Sequence, residues 1–119
     1  MRTSGILMPI FSLPSKYGIG TFGKAAYQFI DFLKKSGQTY WQILPTGVTG
    51  FGDSPYQSVS AFAGNPYFID LDLLIDDGYI KKADIEALEW GEDYSKVDYE
   101  AIFYSKYKIL RIAYESFKI

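Results

Sequence analysis

Residues 21–45, TFGKAAYQFIDFLKKSGQTYWQILP, carry two structural signals in succession. Ala26, Phe29, Ile30 and Leu33 recur at i, i+3, i+4 and i+7, one apolar stripe of an amphipathic helix. Thr21 is the predicted N-cap. Lys34 and Lys35 occupy the last turn, where cations complement the helix dipole, and Gly37 is the expected left-handed terminator. The period then changes: Tyr40-Trp41-Gln42-Ile43-Leu44 is short, aromatic and β-branched, and Pro45 stops it. A strand is expected there.

Upstream, Gly5-Ile6-Leu7-Met8-Pro9-Ile10-Phe11 is an unbroken apolar run. Such a run fits a strand buried on both faces, with Pro9 at its end or on a tolerant side. Strand, helix and strand together predict a right-handed βαβ unit with parallel strands, hence an α/β fold. The intervening Ser12–Gly20 reads as loop. Gly18-Ile19-Gly20 lacks the remaining pattern and the lysine of a phosphate-binding loop.

Downstream of the second strand lies a long stretch without helical or strand period, residues 47–70, GVTGFGDSPYQSVSAFAGNPYFID. Glycines and prolines shape it, and Phe51, Tyr56, Phe62, Tyr67 and Phe68 give it aromatic content foreign to a disordered linker. It leaves the carboxyl end of a strand, the edge where α/β sheets and (β/α)8 barrels bind ligands. The loop is therefore the expected binding surface. Tyr56, after Pro55, is either an outward stacking platform suited to the C–H face of a sugar or a core tyrosine. Asp53 is either a turn-former or a ligand contact. A glycosidic acid/base role would require a second carboxylate across the bond, and the sequence supplies no convincing partner for Asp53.

Beyond the loop the pattern is helical. Short helices are expected at 71–77, closed by Gly78, and at 83–88. Asp98 is a good N-cap for a last helix over 99–118, with Ile102, Lys106, Ile109, Leu110, Ala113 and Phe117 on one face. The stem of Lys106 is expected to cover apolar surface. Phe103, Tyr107, Tyr114 and Phe117 make a second apolar face, read as core or interface.

Composition narrows the chemistry. The 119 residues are 48% hydrophobic and 18% aromatic, with net charge −2. That leaves no basic footprint for nucleic acid or an anionic membrane. With no His and no Cys, disulfides, the usual zinc and haem ligand sets and any His-dependent triad are excluded. No cofactor is expected. Two parallel strands close neither a barrel nor a comfortable open sheet, so the chain is expected to be the front of a larger protein.

The ordered motifs Gly5-Ile6-Leu7, Ser12-Leu13-Pro14-Ser15, Tyr17-Gly18-Ile19-Gly20, Gly37-Gln38-Thr39-Tyr40-Trp41-Gln42-Ile43-Leu44-Pro45, Gly52-Asp53-Ser54-Pro55-Tyr56-Gln57 and Ser60-Ala61-Phe62-Ala63-Gly64-Asn65-Pro66 closely resemble the amino-terminal part of the 4-alpha-glucanotransferases. These enzymes, also called amylomaltases or disproportionating enzymes, fall within the alpha-amylase superfamily. The resemblance implies a (β/α)8 TIM barrel in a cytoplasmic enzyme. It implies transfer of an α-1,4-glucan segment to the 4-hydroxyl of another glucan or of glucose, by a retaining double displacement. The family's catalytic carboxylates would lie beyond residue 119, so no catalytic residue is assigned and the rest of the barrel is required. By resemblance, residues 1–75 start the barrel and 76–119 form a truncated helical insertion. Tyr56 matches a stacking tyrosine next to the cleaved bond, and Ser54 a nearby contact, with Asp53 between them and the glycine turn. Phe51 stands where many members have Tyr in an accessory glucan groove, which keeps the stacking face but loses a hydroxyl, and Tyr99 is its partner there. The competing reading is a non-catalytic maltodextrin-binding module.

Overall fold

In the computed structural model, which describes residues 1–50 and 52–118, β1 (Gly5–Leu7) pairs in parallel with β2 (Tyr40–Gln42). The register sets Gly5 opposite Tyr40, Ile6 opposite Trp41 and Leu7 opposite Gln42. One further bond, from the Met8 amide to the Gln42 carbonyl at 2.9 Å, extends the ladder. The trans-sheet crossover between the strands is α1 (Lys24–Lys35). The expected βαβ unit is therefore present.

Both strands are shorter than their apolar runs. Pro9 has no N–H to donate, and the chain turns there into a 3-10 segment, Ile10–Ser12. The apolar run at 5–11 thus divides. Ile10 is buried, whereas Leu7 and Tyr40 on the two-stranded sheet are more than half exposed. The expectation of burial on both faces does not hold within this chain.

Helix α1 starts two residues later than expected, with Gly23 as N-cap. Thr21 is buried and its hydroxyl is engaged elsewhere: it donates to Asp70 Oδ1 at 2.6 Å. Ala26 and Leu33 are buried, and Phe29 meets Trp41 edge-on with centroids 4.8 Å apart. Ile30, the fourth member of the stripe, is half exposed. At the other end Gly37 has φ +72°, and Gly37 and Gln38 donate back to the Lys34 and Leu33 carbonyls at 3.2 and 2.9 Å. That is the glycine-closed terminator expected from the sequence.

After the loop come α2 (Leu71–Asp76), α3 (Lys82–Glu86) and α4 (Tyr99–Phe117). Asp70 caps α2 through the Leu73 amide at 3.0 Å, and Asp98 caps α4 through the Ala101 amide at 3.1 Å. α4 serves both parts of the core. Ile102 packs with Ile10, Leu13, Ile19, Tyr67 and Phe68. Ile109 and Ala113, two turns on, pack with Leu71, Ile80 and Ile85.

One expectation for α4 is corrected and another narrowed. Lys106 does not lay its stem along the surface; the whole side chain is buried and its ammonium donates to the Ile69 carbonyl. Phe103, Tyr107, Tyr114 and Phe117, expected as core or interface, are all exposed here, which removes the core alternative within this chain and leaves the interface one. Among the described residues, no helix is long and apolar enough to cross a membrane, and no group of three potential ligands is placed to hold a metal.

Candidate functional site

The loop that follows β2 folds back on itself. Two isolated antiparallel bridges, Gly47 with Gly64 and Thr49 with Ser58, join its outgoing and returning arms. Asn65 ties the base. Its amide donates to the Thr46 carbonyl at 3.1 Å, and its side-chain oxygen accepts from the Tyr67 amide at 2.9 Å. Pro66 then opens a 3-10 turn, Pro66–Phe68, whose Tyr67 and Phe68 are buried in the core. A small residue is needed where the arms meet, since a Cβ at Gly47 would lie 2.3 Å from Ser58 Oγ.

The tip is built from two successive turns, closed by Asp53 N–H to Gly50 O and Gln57 N–H to Ser54 O, each at 3.1 Å. Asp53 adopts φ +54°, the conformation that Asp and Asn tolerate better than other side chains. Its Oδ1 accepts the Thr49 hydroxyl at 3.1 Å rather than a following amide. The Tyr56 amide instead donates to Ser54 Oγ at 3.3 Å. Asp53 is thus seated as a turn residue, and Ser54 holds the backbone of Tyr56.

The loop aromatics separate by depth. Tyr67 and Phe68 root the loop; Tyr56 and Phe62 face outward, 73% and 99% exposed. Phe51 lies outside the described residues. Tyr99, the first residue of α4, is half-buried with its ring centroid 6.4 Å from that of Tyr67. Burial raises the Tyr99 phenol above its ordinary range, and the Asp53 charge adds to this. Tyr67 is pushed up to about 12, chiefly by burial and further by Tyr107, Asp53 and Tyr99. The charge of Asp53 at the loop tip is thus felt at both Tyr67 and Tyr99.

A cleft of about 1420 Å³ opens between the 12–20 loop and the 88–99 segment. Ser12, Ser15, Trp90, Tyr94 and Tyr99 line it, while Tyr56 does not. Trp90 and Tyr94 were not singled out from the sequence. The signal available was Trp90-Gly91 followed by Asp93-Tyr94-Ser95, two exposed-type aromatics in a polar, non-periodic segment. Trp90 is fixed by donating Nε1–H to the Ile85 carbonyl at 3.1 Å and by the Tyr17 ring 5.9 Å away. Tyr17 in turn donates to Asp72 Oδ1 at 2.6 Å, and burial together with that carboxylate pushes its phenol well up. These rings with adjacent hydroxyls can stack on apolar faces while bonding polar rims.

A parallel βαβ start with an aromatic-bearing loop at the carboxyl end of its second strand is the class of structure these observations define. The chain belongs to the 4-alpha-glucanotransferase family, whose model matches residues 8–119. It is 54% identical over 116 residues to the 4-alpha-glucanotransferase of Streptococcus pneumoniae, covering 98% of this chain and 23% of that protein. With the Clostridium butyricum 4-alpha-glucanotransferase it shares 59% over 110 residues, 92% of this chain and 23% of the relative. Among solved structures it matches the amylomaltase of Streptococcus agalactiae in complex with acarbose, at TM-score 0.94 and 50% identity, over 98% of this chain and 24% of that one. The chain spans about a quarter of the length of these relatives.

Proposed function

We propose that this chain is the opening part of a 4-alpha-glucanotransferase that moves a segment of an α-1,4-glucan onto the 4-hydroxyl of a second glucan or of glucose. The carrying observation is the family match over residues 8–119. In this reading β1, α1 and β2 begin a (β/α)8 TIM barrel, residues 1–75 belong to it, and 76–119 form a helical insertion. The enzyme works in the cytoplasm on maltooligosaccharides, without a cofactor.

The chemistry is a retaining double displacement. A carboxylate displaces the leaving glucan to form a covalent glycosyl-enzyme, and an acid protonates that leaving oxygen. The same group, now a base, activates the acceptor hydroxyl for the second displacement. These carboxylates come from outside the 119 residues. The part played here is to hold sugar. Tyr56 offers a stacking face, Ser54 and Asp53 set the turn that presents it, and Phe51 with Tyr99 forms an outer glucan groove. The outward exposure of Tyr56 supports the platform role.

The test is disproportionation of maltotriose. The longer protein containing this chain should release glucose and build longer maltodextrins, while the purified 119 residues should yield neither. No product from the longer protein would overturn the activity, and product from the 119 residues would overturn the placement of the acids. The second reading, a maltodextrin-binding module without catalysis, draws on the exposure of Tyr56 and Phe62. It predicts saturable maltoheptaose binding by both proteins and turnover by neither.

A further inference from the structure

Lys106 sits midway along α4 with no exposed surface, and none of the salt bridges among the described residues includes it. A buried ammonium is unfavourable unless it is bonded. Its hydrogen bond here is to a main-chain carbonyl, that of Ile69. A methionine would fill nearly the same volume without that cost, so what the lysine adds is the donor.

The carbonyl it holds is placed at a junction. Ile69 ends the returning arm of the loop, directly after the buried Pro66–Phe68 turn, and Asp70 directly after it caps α2. Asp70 accepts both the Leu73 amide and the Thr21 hydroxyl ahead of α1. Gly23 leaves room for that carboxylate, since a Cβ there would lie 2.2 Å from Asp70 Oδ1. Three elements thus converge on two consecutive residues. The Ile69 side chain itself is 43% exposed, so the residue is fixed by its backbone and not by packing.

We infer that Lys106 is a positioning residue for the 47–65 loop: by gripping the Ile69 carbonyl it fixes how the returning arm enters α2, and with it how Tyr56 is presented to sugar. The second half of this inference rests on the glucan-binding reading given above; the first half does not.

Hydrogen exchange read by mass spectrometry, with maltoheptaose titration alongside, tests the two halves separately on the whole 119-residue chain. In Lys106→Met, exchange across 47–65 should quicken by about tenfold, the equivalent of one lost hydrogen bond, while α1 keeps its protection. Maltoheptaose affinity should fall by a similar factor. Lys106→Gln, whose donor sits on an arm one bond shorter, should show a smaller change of the same sign and serves if the methionine variant does not fold. Unchanged exchange at 47–65 in these variants overturns the inference, whatever the affinity does. Faster local exchange in a chain whose unmodified form does not bind maltoheptaose would support the clamp and remove the glucan reading instead.

Discussion

Thr49 Oγ1 donates to Asp53 Oδ1 at 3.1 Å, and this bond spans the tip of the loop from its outgoing arm to a residue held at φ +54°. Both features depend on the carboxylate-sized side chain: it tolerates the left-handed conformation and it satisfies the threonine. Asp53→Ala loses both, at a local cost of about 1–2 kcal/mol. Asp53→Asn keeps an acceptor and tolerates the same φ. The amides of Asp53 and Gln57, which close the two tip turns, should therefore exchange several-fold faster in the alanine variant and near the native rate in the asparagine variant. Equal exchange in both would show that the turn does not depend on this residue.

Tyr56 and Phe62 make a matched pair of exposed rings on one loop. Neither contributes to the core, so alanine at either position should leave the urea midpoint within about 0.5 kcal/mol of native stability. Sugar binding should separate them. A stacked aromatic contributes on the order of 1 kcal/mol, so Tyr56→Ala should weaken maltoheptaose binding by about fivefold, with Phe62→Ala much closer to native. Titration calorimetry on the two variants checks this, and the reverse ranking would move the platform to Phe62.

Adjacent residues on α4 face opposite fates. Ile102 is fully buried in the first core, whereas Phe103 is 52% exposed. Ile102→Ala removes buried methylenes and leaves a void, costing about 2–5 kcal/mol. Phe103→Ala should cost less than about 1 kcal/mol in the 119-residue chain. Urea denaturation of the two variants measures the difference directly.

What could be read from the sequence was whatever local chemistry decides. The α1 helix, the Gly37 terminator and the Asp98 cap each depend on a few neighbouring residues, and each is present; the parallel pairing followed from the strand–helix–strand order. The departures come from partners distant in sequence. Thr21 has the chemistry of an N-cap, but Asp70, 49 positions away, takes its hydroxyl. Lys106 looked like a surface lysine because nothing local marks the Ile69 carbonyl, 37 positions away, as its partner. The exposure of Leu7, Tyr40 and Phe103 is likewise not a local property; it depends on which chain segments are there to cover them. At the candidate site, the Pro55-Tyr56 turn left an outward platform and a core tyrosine both open, because which side the ring takes depends on the distant segments around the loop; the ring is outward. The cleft beside Trp90 and Tyr94 was not legible, because it forms between two irregular segments without a shared pattern.

The buried lysine also fixes an unusual pH dependence. Burial pushes Lys106 down from its ordinary 10.5 to about 8, with Asp70, the charged group that acts on it, partly offsetting the effect. In the unfolded chain the same lysine keeps its proton to about 10.5. Between these values the unfolded state binds more protons, so stability rises with pH. The penalty of the buried charge is fully present below pH 8 and is relieved above it, by on the order of 2 kcal/mol at pH 10. The phenols act with the opposite sign. Tyr67, raised to about 12, contributes stability that is complete below its ordinary value near 10 and lost as pH climbs through 12. Tyr17 and Tyr99, raised by the same cause, add to that loss. The urea midpoint should therefore rise between pH 8 and 10 and fall beyond. In Lys106→Met the rise should vanish while the later fall remains. A native midpoint that declines steadily from pH 8 upward would show that the Lys106 ammonium is not held at the low value its burial demands.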